Sequence, residues 1–129
     1  MIWNSNIETV KYSINPYNVN SLTQATGAAV LENDDYYKSC IDEICVTRDT
    51  FTKELKKIGF SVIPSQTNFV FAKHNEISGT DLANKLREKG ILIRRFDKER
   101  IVDYVRITIG TPDQMECVLT ALEEIIGGK

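Results

Sequence analysis

Long apolar runs are missing from this sequence, so no stretch of it is long enough to span a bilayer as a helix. Any block of basic residues is missing too. With a net charge of −2, binding to nucleic acid or to an anionic membrane has no electrostatic support. Cysteine is scarce: Cys40, Cys45 and Cys117 are the only three. An odd number at that spacing fits neither a disulfide framework nor a zinc site. Reduced thiols in a cytoplasmic protein are the expectation. The first residues carry no signal-peptide pattern, and there is no internal repeat or low-complexity tract. What remains is 42% hydrophobic and 26% charged residues over 129 positions, the composition of one soluble globular domain with a modest core.

The chain is organised around Gly90–Gly110, GILIRRFDKERIVDYVRITIG. Two β-type runs, Ile91–Phe96 and Tyr104–Ile109, flank a charged turn, DKER. Strand side chains alternate faces. In the second run Val105, Ile107 and Ile109 make one apolar face, and Tyr104, Arg106 and Thr108 make the other. In the first run Leu92, Arg94 and Phe96 oppose Ile91, Ile93 and Arg95. A guanidinium on a rigid strand can clamp a carboxylate or phosphate with two parallel donors. Spacing alone favours a plainer reading, a solvated or ion-paired arginine on an edge strand.

Taken in order, Asn6–Ser13 reads as extended and Ile14–Asn20 as a connection, since Pro16 biases Asn15 away from helix. Asn20 or Ser21 can cap a helix over Leu22–Glu32, with Ala25, Ala28 and Ala29 offering a close-packing side. After a break at Asn33–Asp35, a long helix to Ile58 places Tyr37, Ile41, Ile44, Phe51, Leu55 and Ile58 on one core stripe. Arg48 interrupts the stripe and is expected to snorkel. Gly59 ends that helix. Phe60–Ile63 and Asn68–Ala72 read as strands around a PSQT corner, and Lys73–Gly79 as a polar loop that leaves His74 on the surface. Ser78 or Thr80 caps a helix to Lys89, stopped by Gly90. Beyond the two arginine runs, Thr111 caps a last helix with Pro112 at its first position. This order predicts an α+β two-layer sandwich: a three- to four-stranded, mostly antiparallel sheet with helices on one face.

Four blocks carry a resemblance. They are PYNVNSLTQATGAAVLE at Pro16–Glu32, PSQTNFVF at Pro64–Phe71, GILIR at Gly90–Arg94 and VRITIGTPDQ at Val105–Gln114. Together, and in this order, they resemble the C-terminal part of the histidinol-phosphate aminotransferase family, pyridoxal-phosphate enzymes of the aspartate aminotransferase fold. The resemblance implies that residues 14–129 form the C-terminal small domain and that residues 1–13 are an N-terminal extension. It implies that Arg106 binds the α-carboxylate of an amino-acid substrate. Arg94 would hold a distal anion, either the phosphate of histidinol phosphate or the side-chain carboxylate of glutamate. Tyr17 and Asn18 would lie near the cofactor region, and Asn68 would bond nearby backbone.

The same resemblance sets what else to expect. The family's activity moves an amino group between L-histidinol phosphate and 2-oxoglutarate in histidine biosynthesis. It requires a lysine that holds the pyridoxal phosphate, a carboxylate on its pyridine nitrogen and a phosphate cradle. The lysine-bearing stretch has no counterpart here. The expectation is a substrate-clamping fragment that is not catalytic alone and binds no cofactor alone. Its partners would be a large cofactor-binding domain, a second copy in the full-length homodimer, and a small phosphorylated amino-acid substrate. Two alternatives stand beside it: the small domain of a relative such as threonine-phosphate decarboxylase, and a stand-alone anion-binding or interaction module.

Overall fold

The computed structural model describes residues 19–128. The expected extension, the connection up to residue 18, and Tyr17 and Asn18 lie outside the described residues. The chain divides into two compact units, Met1–Tyr37 and Lys38–Lys129.

In the first unit, α1 spans Ser21–Glu32. The Asn20 side chain caps it by accepting from the Thr23 N–H at 2.8 Å, which satisfies one orphan donor of the first turn. None of its residues is buried, so the alanine side expected to pack closely is exposed among the described residues. The next helix, α2, spans Asp34–Lys57, with Asp34 and Asp35 at its positive end and Lys56 and Lys57 at its negative end.

In the second unit, α2 packs on a sheet. Gly59, at φ 91°, turns the chain through the left-handed region and ends the helix where other residues would be strained. Strand β1 (Phe60–Ile63) and strand β2 (Phe69–His74) follow. Then comes α3 (Gly79–Glu88), capped by Ser78, whose hydroxyl accepts from the Asp81 N–H and donates to its carboxylate. Strand β3 is only Arg94–Arg95, and β4 is Val105–Thr108. Helix α4 (Pro112–Gly127) begins in the expected way. Thr111 and Gln114 form a reciprocal capping box behind Pro112.

The sheet has four strands in the order β1-β2-β4-β3, every neighbour antiparallel. This is the expected α+β architecture. One face is the core. Val70 and Ala72 of β2 and Val105 and Ile107 of β4 meet Phe51 and Leu55 of α2, Leu82 and Leu86 of α3, and Leu122 of α4, all buried. Fully burying one such leucine contributes about 1.5–3 kcal/mol.

Three local expectations change. The run Ile91–Phe96 pairs only at Arg94 and Arg95. Ile91 spends its N–H on the Leu86 carbonyl behind α3, and Ile91 and Ile93 pack on the core from outside the ladder. The stripe on α2 also stops early: Tyr37 and Ile41 are 42% and 56% exposed. A helix of 24 residues is about 36 Å long, whereas the 6 residues of β2 reach about 20 Å, so the sheet ends before Ile41. Finally, Lys73 and His74 belong to β2 rather than to a loop.

Candidate functional site

The face of the sheet turned away from the helices holds the arginines. Register sets it row by row. Ile63 pairs with Phe71, Phe71 with Arg106, and Arg106 with Arg94, so one row crosses all four strands. Directly opposed residues of an antiparallel pair share a face, with Cβ atoms about 4.5–5.5 Å apart. Arg94 and Arg106 therefore stand side by side, both exposed.

Around them the face carries aromatic and cationic residues, with Ser61, Ile63 and Thr108 at its margins. Phe71 stacks on Tyr104 at 4.7 Å between centroids and meets the edge of Phe96 at 5.6 Å. Each cation rests on a ring: Arg94 on Phe96 at 5.9 Å, Arg106 on Phe69 at 5.2 Å, and Lys73 on Tyr104 at 5.5 Å. Such contacts hold a charged head over apolar surface without neutralising it. None of the three has a carboxylate partner among the described residues. Arg95 differs. It points off this face and pairs with Asp97.

The two heads do not converge. Phe96 lies toward the Tyr104 end of the row. Phe69 pairs in register with Thr108, toward the opposite end. Arg94 and Arg106 thus lean apart, as like charges on neighbouring strands do. The sequence predicted a shared face and a single focus; the shared face is present, and the heads at rest are splayed.

Lys73 is not among the residues the sequence points to, because a strand ending at Ala72 leaves it in a loop, whereas β2 runs on to His74. The alternation Phe69, Phe71, Lys73 continues past Ala72 and is the available signal. Two polar residues also differ from expectation. His74 is buried at 7% exposure. Its Nδ1 accepts from the Glu76 N–H at 3.1 Å, which leaves Nε2–H to donate to the Ile58 carbonyl, also at 3.1 Å. It is a structural clasp, not a surface base. Arg48 does not snorkel: it is buried and donates to the Thr67 carbonyl at 3.2 Å. Asn68 contributes its backbone carbonyl to the Ile109 N–H at 2.8 Å. The cysteines are free thiols, and no cluster able to hold a metal ion occurs among the described residues.

The face suits anions and does not by itself suit pyridoxal phosphate. A pyridinium nitrogen needs a carboxylate beside it, and the strand residues that register places on this face, from Ser61 and Ile63 of β1 to Arg94 of β3, include none.

Comparison with known proteins agrees with the fold and extends it. The family model for class I and II aminotransferases matches residues 5–122. The histidinol-phosphate aminotransferase of Chromohalobacter salexigens is 40% identical over 119 residues, 92% of this chain and 34% of that protein. Histidinol-phosphate aminotransferase 1 of Hydrogenovibrio crunogenus is 43% identical over 120 residues, 93% of this chain and 34% of that protein. The crystal structure of the Clostridium acetobutylicum histidinol-phosphate aminotransferase superposes with a TM-score of 0.81 at 28% identity, covering 93% of this chain and 37% of that one. The chain spans about a third of the length of the curated relatives it matches. It belongs to the class I and II aminotransferase family.

Proposed function

We propose that this chain acts as the substrate-clamping small domain of a histidinol-phosphate aminotransferase, moving an amino group between L-histidinol phosphate and 2-oxoglutarate only together with a large domain. The observation that carries this reading is the row in which Arg94 and Arg106 stand opposed with no carboxylate partner among the described residues. Two uncompensated guanidinium groups on one face repel each other, and an anionic group bound at each relieves that repulsion.

In this reading Arg106 forms a bidentate pair with the α-carboxylate of glutamate or 2-oxoglutarate, and Arg94 takes the distal anion; L-histidinol phosphate, which has no carboxylate, is held through its phosphate. Phe69 and Phe96 hold the two guanidinium stems so that little freedom is lost on binding. The lysine, the carboxylate and the phosphate cradle for pyridoxal phosphate come from the large domain, as does half of the cleft. A second copy completes the homodimer.

The test is to join this chain to the large domain of the Hydrogenovibrio crunogenus relative and assay amino transfer. Turnover of L-histidinol phosphate with 2-oxoglutarate is expected. A folded, cofactor-loaded fusion that binds neither substrate would overturn the reading.

A further inference from the structure

We infer that Arg48, remote from the exposed face of the sheet, is a positioning residue that sets the aim of Arg106 through the corner preceding β2 and the ring of Phe69. This rests on Arg106 being an anion ligand, the reading proposed above.

A buried arginine asks for an explanation, because desolvating a guanidinium is unfavourable unless its donors are well used. Arg48 is 7% exposed. It donates from Nε and Nη2 to the Asp49 carboxylate, each at 3.1 Å, and from Nη1 to the Thr67 carbonyl at 3.2 Å. Asp49 is a sequence neighbour on the same helix, with its side chain 64% exposed, so that pair fixes little. The bond to Thr67 is different. It crosses 19 residues and ties α2 to the corner between β1 and β2.

That corner is short and self-bonded. The Ser65 hydroxyl accepts from the Thr67 N–H at 3.2 Å and donates to the Phe69 carbonyl at 2.6 Å. The Asn68 carbonyl starts the ladder to β4 by accepting from the Ile109 N–H at 2.8 Å. The peptide that Arg48 holds is therefore next to the residue that opens the ladder, and the following residue is Phe69. Its ring lies under the Arg106 guanidinium, 5.2 Å from it. A small rotation of the 67–68 peptide turns Phe69, and with it the surface on which Arg106 rests. Bidentate binding tolerates little misalignment, so a shift there weakens anion binding while leaving both arginines in place.

The experiment uses the chain itself, with inorganic phosphate as probe. The variants are Arg48→Lys, which keeps a charge but loses the fork, Asp49→Asn, which leaves the Thr67 bond, and Phe69→Leu, which removes the ring. Two readouts are taken on folded protein: the Arg106 Nε–Hε resonance and the phosphate dissociation constant. Arg48→Lys should shift the resonance and weaken phosphate binding about tenfold, the loss of roughly one charged hydrogen bond. Phe69→Leu should do the same, and Asp49→Asn should change neither. A general loss of stability would not single out the Arg106 resonance in this pattern. An unmoved resonance in Arg48→Lys overturns the inference, as does an unmoved one in Phe69→Leu if Arg48→Lys does not fold. Absence of phosphate binding by the wild-type chain would count against the arginine pair as an anion site. The resonances would still decide the positioning role.

Discussion

Arg94 and Arg106 are register partners across neighbouring antiparallel strands, and each turns its head onto a different aromatic ring. Stability alone does not favour two cations in directly opposed positions. Nor do nearby acids compensate them, since the ion pairs among the described residues lie elsewhere. An arrangement that costs stability in the free chain is what the proposed anion site requires, since a bound anion would offset the repulsion.

That asymmetry is measurable. Arg94→Met keeps an unbranched stem over Phe96 and removes the charge opposite Arg106. The variant should be more stable than the parent by roughly 0.2–1 kcal/mol at low ionic strength, the penalty typical of like charges directly opposed. The gain should shrink as salt screens the pair. Urea midpoints at low and high salt check it. Equal midpoints at low salt would show that the two charges do not feel each other.

Gly59 and Gly90 offer a controlled pair. Both have positive φ, 91° and 80°. A Cβ on Gly59 would sit 2.9 Å from Nε2 of His74, whereas one on Gly90 meets nothing within 4 Å. Gly90→Ala should therefore lose only the left-handed penalty of about 1–2 kcal/mol. Gly59→Ala should lose that and disturb the His74 bond to Ile58, a further loss of about 1 kcal/mol or more. Matching losses by urea denaturation would remove the clasp assigned to His74.

The cofactor prediction follows from the composition of the exposed face. Lys73 lies there, but no carboxylate does. Incubated with pyridoxal phosphate and reduced with borohydride, the isolated chain should give only scattered, substoichiometric lysine adducts by mass spectrometry. A stoichiometric adduct at Lys73 would contradict this and move the chemistry onto this chain.

Much of this was legible in the sequence, for local reasons. The alternation of Val105, Ile107 and Ile109 against Arg106 and Thr108 named both faces of β4, because period two is a property of the strand itself. Asn20, Ser78, Thr111 and Pro112 announced helix starts, because a cap and its target lie within one turn. What could not be read depends on distant partners. His74 is buried by a carbonyl 16 residues away, and Arg48 by one 19 residues away. Neither partner is visible in a local window. The shortness of β3 has the same origin: Ile91 has a strand's composition, yet its N–H is taken by the end of α3.

The two arginines should separate by substrate. In the fusion with a large domain, Arg106→Ala should remove the proposed bidentate pair to the α-carboxylate, roughly 1.5–3 kcal/mol per charged hydrogen bond. It should lower kcat/KM for every amino-acid substrate, because all of them carry that carboxylate. Arg94→Ala should act by distal charge. It should lower kcat/KM for glutamate about tenfold or more, the loss of one charged hydrogen bond, and leave an uncharged amino acid such as leucine nearly unchanged. Both variants should keep the fold, since both side chains are exposed and the core face of β4 is untouched. Because the two heads rest on different rings, each can meet a different anionic group, so the order of effects matters more than their size. Equal losses on glutamate and leucine for Arg94→Ala would remove it from the distal site. A loss confined to glutamate for Arg106→Ala would exchange the two assignments.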